Sequence, residues 1–212
     1  MVQLFNGIDK DKLPQLLECI NARTVKYKKD EIIIEEGNHT TEFGVVLSGG
    51  AQSIKWDMSG RVIILTFIEE GSLIGVMVAA RECHISPVSV QATTDTEIML
   101  IPFKNILSQC KRGCIGHEQL LRNYINIVAE KGIELHERID CLLEPTVRDK
   151  ILKFLRKTAK EKGQTTFTIQ MDRNQMAQYL NIDRTALSRE LSKMQKDHLI
   201  TYNKNCFVLL KK

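Results

Sequence analysis

A chain of 212 residues, 43% hydrophobic and 26% charged, can bury one large core or two small ones, and two domains are expected. No apolar run is long enough to span a bilayer, and the opening MVQLFNGIDKDK has neither a basic start nor a hydrophobic stretch. Membrane insertion and export are therefore unsupported, and a cytoplasmic protein is expected. The formal net charge of +4 conceals two unlike halves. Residues 1–144 hold 15 Lys and Arg against 20 Asp and Glu, a balance of −5, whereas residues 145–212 hold 15 against 6, a balance of +9. A compact basic tail suits a polyanionic partner; a charged solubilising surface is the plainer alternative.

In chain order, residues 12–20 read as a short helix and residues 25–102 as successive strands. "DEIIIEEGN", "EFGVVLSGGAQSIKWDMSGRVIILTFIEEGSLIG" and "SVQATTDTEIMLIP" are rich in β-branched residues, with Gly37, Gly49, Gly50, Gly60 and Gly71 where a meandering chain must reverse. Closely spaced strands of this kind imply an antiparallel sandwich or barrel.

From about residue 118 the period changes. Leu121, Ile125, Val128, Gly132, Leu135, Ile139 and Leu142 recur at steps of four and three, the a/d spacing of a two-helix seam. Such a stripe can pack on its own barrel or on the same helix of a second subunit, and three heptads favour a homodimer. Gly132 either lets two backbones approach or marks a flexible point, at a propensity cost of roughly 1 kcal/mol. Pro145 disfavours helix at Glu144 and sets the domain boundary there. The expected division is a sensing barrel at 1–115, a dimerisation helix at 116–144 and a C-terminal domain at 145–212.

Beyond Pro145, "TVRDKILKFLRKTAKEKG" is an amphipathic helix stopped by Gly163, and "TTFTIQM" is a short strand. In "NQMAQYLNIDRTALSREL", Asp172 caps a first helix with Gln175 reaching back, Asn181 takes a sharp turn, and Asp183 caps a second helix. Leu187, Leu191 and Met194 point inward on that second helix, leaving Arg184, Thr185, Ser188 and Arg189 outside. Arginine can donate two hydrogen bonds to guanine, and Ser or Thr suits bases or phosphates, so these four form a candidate major-groove reading face. The closing "LITYNKNCFVLLKK" is a strand, a turn at Asn203, Lys204 and Asn205, and a return strand, together a wing.

The whole is an α+β chain: an N-terminal antiparallel β-barrel, a long dimerisation helix and a C-terminal winged helix-turn-helix. It resembles the CRP/FNR family of bacterial transcription regulators, through "DEIIIEEGN", "FGVVLSGGAQSIKWDMSGRVIILTFIEEGSLIG" and "MDRNQMAQYLNIDRTALSRELSKMQKDHLI" in the expected order. The resemblance implies a jelly roll like that of cyclic-nucleotide-binding domains and sequence-specific binding to double-stranded DNA at an inverted repeat. It also implies a homodimer and contact with RNA polymerase. By the same resemblance Arg184, Thr185, Ser188 and Arg189 face bases, while Arg173 and Asn174 hold phosphates. Relatives that read the cyclic AMP receptor's operator carry glutamate where Thr185 stands, so the preferred half-site should differ.

Cyclic-nucleotide-binding relatives hold the ligand with a glutamate and an adjacent Arg-Ser pair. In "GSLIGVMVAARECHISPVSV" those positions hold Val76 and Ser86-Pro87, so cyclic AMP is not expected. A vestigial pocket is one alternative. A less polar effector is the other, using Leu73, Ile74, Val76 and Ser86 with Ile133 and Glu134, and with Arg81 or Lys131 for an anionic group. The six cysteines form no C-x-x-C pair and suit reduced thiols. Iron–sulfur relatives use an N-terminal cysteine cluster, whereas only Cys19 lies near this start. Cys83-His84 could ligate haem, and Cys110 and Cys114 lie one helical turn apart, although structural thiols are the plainer reading. Five scattered histidines, no phosphate-cradling loop and no nucleophile elbow argue against an enzyme and against a metal site.

Overall fold

The structure is a computed structural model that describes residues 2–58, 60, 62–108, 116–169 and 171–210. It forms two compact units, Met1–Lys131 and Gly132–Lys212.

The N-terminal unit opens with a 3-10 turn at Gln3–Phe5 and helix α1 (Leu13–Cys19), whose proline in the first turn lacks an N–H the helix could not have used. Strands β1 (Arg23–Tyr27), β2 (Ile32–Ile34), β3 (Glu42–Ser48), β4 (Ala51–Trp56), β5 (Val62–Ile68) and β6 (Leu73–Ile74) follow. Next come α2 (Val76–Ala79), β7 (Ser89–Ala92), β8 (Thr96–Pro102), α3 (Phe103–Leu107) and the long helix α4 (His117–Leu142). The strands pair antiparallel in two four-stranded sheets, ordered β1-β8-β3-β6 and β2-β7-β4-β5.

The expected barrel is therefore two open sheets of jelly-roll type, not a closed cylinder. The edge strands β6 and β2, of two and three residues, are too short to carry a ladder from one sheet into the other. Ile34, Val46, Ala51, Ile74, Val90 and Ile98 pack together in one core. A second core joins Phe43, Val45 and Ile101 to Leu4, Leu16, Leu120, Tyr124 and Ile127. Strand β3 is buried at four consecutive positions because alternate residues feed these two cores. Gly44 has the space of a hydrogen only, since a Cβ there would lie 2.6 Å from Ile98 Cγ2 and 2.8 Å from Ile74 Cγ1.

Helix α4 packs on the N-terminal unit through Leu120, Asn123, Tyr124 and Ile127, and the seam residues Leu121 and Val128 pack against the same core. On the seam, Ile125, Leu135 and Ile139 are exposed, and Leu121, Val128 and Leu142 are half-buried. Among the described residues, a Cβ added at Gly132 would meet nothing within 4 Å.

The C-terminal unit contains the rest of α4, then α5 (Val147–Lys162), β9 (Thr166–Thr168), α6 (Arg173–Tyr179), α7 (Arg184–Lys196), β10 (Ile200–Asn203) and β11 (Cys206–Leu209). The strands form one antiparallel sheet, β10-β11-β9. Thr146 caps α5 by accepting from the Asp149 N–H at 3.1 Å, and Gly163 ends it with a left-handed φ of 64°. Ile151, Leu155, Phe167, Met176, Leu187, Leu191, Met194 and Phe207 make the core.

The compact units part at Gly132, thirteen residues before the Pro145 boundary read from the sequence. The end of α4 belongs with the C-terminal unit through specific contacts. Cys141 is in its core, Glu137 pairs with Lys157 at 2.6 Å, Glu144 pairs with Lys153 at 2.7 Å, and the Arg138 Nε donates to the Tyr179 carbonyl at 3.1 Å.

Candidate nucleic-acid interface

The helix pair is built by capping. The Asp172 carboxylate accepts from the Gln175 N–H at 2.8 Å, while the Gln175 side chain accepts from the Asp172 N–H at 2.7 Å, closing the capping box at the start of α6. Asn181 turns the chain with a φ of 50°, a left-handed conformation that asparagine tolerates better than most side chains. Asp183 Oδ1 then accepts from the N–H groups of Thr185 at 2.7 Å and Ala186 at 3.1 Å. Those bonds hold the Asp183 carboxyl below the usual carboxylate range.

Capped in this way, α7 buries Leu187, Leu191 and Met194 and exposes Arg184, Thr185, Ser188 and Arg189 together. Ser192, one turn further on, extends the exposed face, and its hydroxyl donates to the Ser188 carbonyl at 3.0 Å. Sequence reasoning stopped one turn short; continuing the i, i+4 step from Ser188 finds it.

Asn174 is exposed at the first turn of α6. Arg173, expected at a phosphate, is half-buried and committed elsewhere. Its guanidinium lies 4.9 Å from the centre of the Phe207 ring and 5.1 Å from that of Tyr202, and it donates to the Lys204 carbonyl. Desolvation there depresses the Arg173 pKa. Arg148, on α5, grips α7 from behind, with Nε 2.5 Å from Glu190 and Nη1 2.7 Å from Asp197.

The residues expected to line an effector pocket fall in both units. Leu73, Ile74, Val76 and Ser86 are buried in the N-terminal unit, where Leu73 and Val76 belong to one core, Ile74 belongs to the other, and the Ser86 hydroxyl donates to the Val88 carbonyl at 2.7 Å. Ile133 and Glu134 belong to the C-terminal unit and are exposed. The Tyr124 hydroxyl, which the sequence did not single out, donates at 2.5 Å to the carbonyl of Val76, and burial pushes its pKa up. Arg81 and Cys83 are exposed, and Lys131 is half-buried. His84 has a φ of 51° and a buried Nδ1 without a hydrogen-bond partner among the described residues. Cys110 and Cys114 lie outside the described residues. Among the described residues no three His, Cys, Asp or Glu side chains gather to hold a metal ion.

Comparison with known proteins agrees with this order of parts. A family model for the cyclic nucleotide-binding domain matches residues 24–112, and one for the Crp-like helix-turn-helix domain matches residues 149–212. The transcriptional activator protein Anr of Pseudomonas protegens is 25% identical over 197 residues, covering 91% of this chain and 77% of the activator. Solved structures that share the fold include those of two regulators. FixK2 from Bradyrhizobium japonicum has a TM-score of 0.61 at 19% identity, covering 89% of this chain and 92% of its own. The c-di-GMP-responsive regulator CLP of Xanthomonas campestris has a TM-score of 0.67 at 18% identity, covering 96% and 100%. The two domains in series, with a capped helix pair presenting an exposed basic face, identify the chain as a DNA-binding transcription regulator of the CRP/FNR family.

Proposed function

We propose that the protein acts as a cytoplasmic homodimer on an inverted-repeat operator, with RNA polymerase as a further partner and with regulation by a small effector other than cyclic AMP. The observation that carries the reading is the exposed row of Arg184, Thr185, Ser188 and Arg189 on a helix whose opposite side is fully buried. Arg184 and Arg189 supply bidentate donors for guanine, Ser188 a hydroxyl, and Thr185 a hydroxyl and a methyl group in place of an acidic acceptor for cytosine. Asn174, exposed at the first turn of α6, offers its side-chain amide to a phosphate.

Dimerisation is supported by exposed Ile125, Leu135 and Ile139 at heptad spacing on α4, and by open space around Gly132 through which a second backbone could approach. Twofold symmetry then sets the half-sites about one helical turn, roughly 34 Å, apart. Val76 and Ser86-Pro87, where relatives place an acid and an Arg-Ser pair, leave no charged clamp for a cyclic nucleotide. An effector event in the jelly roll would act by changing how the seam helices pair, and so the spacing of the two α7 helices.

Binding-site selection from a random duplex library tests the reading. The wild-type chain should return an inverted repeat, and Arg184→Ala and Arg189→Ala should each lose about 1 to 3 kcal/mol of discrimination with a smaller loss of general affinity. Unchanged selectivity in both variants would overturn the assignment of the face. An absorption and mass spectrum of the purified protein separates a retained small molecule from the haem alternative at Cys83 and His84.

A further inference from the structure

The basic winged unit holds an arginine at the start of α6 that is turned from solvent toward the wing. Arg173 places its guanidinium over Phe207 on β11 and Tyr202 on β10, and donates to the carbonyl of Lys204 in the turn between them. Three contacts from one planar group to two strands and their turn fix the wing against the helix pair; a flexible ammonium could not reproduce both the stacking and the directed bond. Tyr202 packs against Phe207 with the rings tilted by 31° and their centroids 5.8 Å apart, and its hydroxyl lies 3.5 Å from Ser192 Oγ on α7, so the same platform touches the reading helix.

Lys204 is the residue this arrangement presents. It is exposed at the tip of a two-residue turn, between the paired Asn203 and Cys206, with a left-handed φ of 50°. Glycine or asparagine would adopt that conformation more easily, and Asn203 and Asn205 flank it. A lysine there is disfavoured by local backbone preference and adds a cation at the outermost point of the wing.

We infer that Arg173 is a positioning residue that does not itself hold a phosphate, and that it fixes the wing so that Lys204 makes the backbone contact on duplex DNA. The inference rests on the DNA-binding reading above. Removing Lys204 loses one phosphate contact per chain, and loosening Arg173 loses that same contact, because the lysine is no longer held in place.

A double-mutant cycle tests this, using a duplex recovered by selection with the wild-type chain and measuring Kd by fluorescence anisotropy across a salt series. Lys204→Ala should lower the slope of log affinity against log salt by about 0.9 per bound chain, which is about tenfold in affinity at 0.1 M salt. Arg173→Lys keeps the charge yet should match Lys204→Ala, and the double variant should be no weaker than either. Thermal unfolding by circular dichroism accompanies each variant. If Arg173→Lys does not fold, Tyr202→Leu replaces it, with the same expected equality and the same absence of effect in the Lys204→Ala background. Near wild-type binding by the clamp variant, or summed losses in the double variant, would overturn the inference and return Arg173 to a phosphate. Failure of the wild-type chain to select any duplex would instead sink the DNA-binding reading itself.

Discussion

The Arg148 Nε on α5 lies 2.5 Å from the carboxylate of Glu190 on α7, immediately beside the exposed Arg189. The pair, with Asp197 on the same guanidinium, neutralises an acid next in sequence to the exposed row on α7. Arg148→Ala should uncover that negative charge beside Arg189 and weaken duplex binding by about tenfold at low salt, with the loss shrinking as salt rises. Anisotropy titrations at two ionic strengths check it, and Arg148→Ala/Glu190→Gln should recover most of the affinity.

The Asp183 cap makes α7 sensitive to acid. Its folded pKa is depressed by the Thr185 and Ala186 N–H groups, so its contribution is present above the ordinary carboxylate range and is lost as pH falls through the lowered value. Helicity and DNA affinity should both decline on that acid limb. Asp183→Asn keeps a capping oxygen that does not titrate, and the variant should lose this component of the pH dependence.

The seam face predicts a separation of assembly from folding. Leu135 and Ile139 are 45% and 52% exposed, so Leu135→Glu and Ile139→Glu remove little buried area within the chain. Each should shift sedimentation from dimer toward monomer while the melting temperature extrapolated to low concentration stays within a few degrees of wild type. A dimer that survives both changes would place the interface elsewhere.

Inside the jelly roll, Gly44→Ala should destabilise by about 1–3 kcal/mol, because the new methyl meets Ile98 and Ile74 below contact distance. Tyr124→Phe should cost a similar 1–3 kcal/mol by leaving the buried Val76 carbonyl without its donor. Urea unfolding measures both, and an unchanged midpoint in either case would refute the packing argument for that residue.

Much of the C-terminal unit was legible in the sequence, because its signals are local. A cap, a turn asparagine and an i, i+4 apolar stripe act within a few residues, and Asp172, Gln175, Asn181 and Asp183 take the expected roles. The strands of the N-terminal unit were legible for the same reason, whereas their closure was not. Whether eight strands form a barrel or two sheets depends on which edges meet, and no single strand records that.

Charge balance, helix caps and heptad spacing are properties of neighbours along the chain, so the sequence by itself determined a capped helix with an exposed basic face, a closing hairpin and a heptad stripe on α4. Tertiary packing decided which way long side chains turn. Arg173 reads as a cation beside a phosphate until Tyr202, Phe207 and Lys204, some thirty residues away, are brought beneath it. Tyr124 likewise reads as an ordinary helix position until Val76 arrives at the start of α2, 48 residues earlier in the chain. An arginine or tyrosine finds its partner by reach through space, and linear spacing carries no information about that distance.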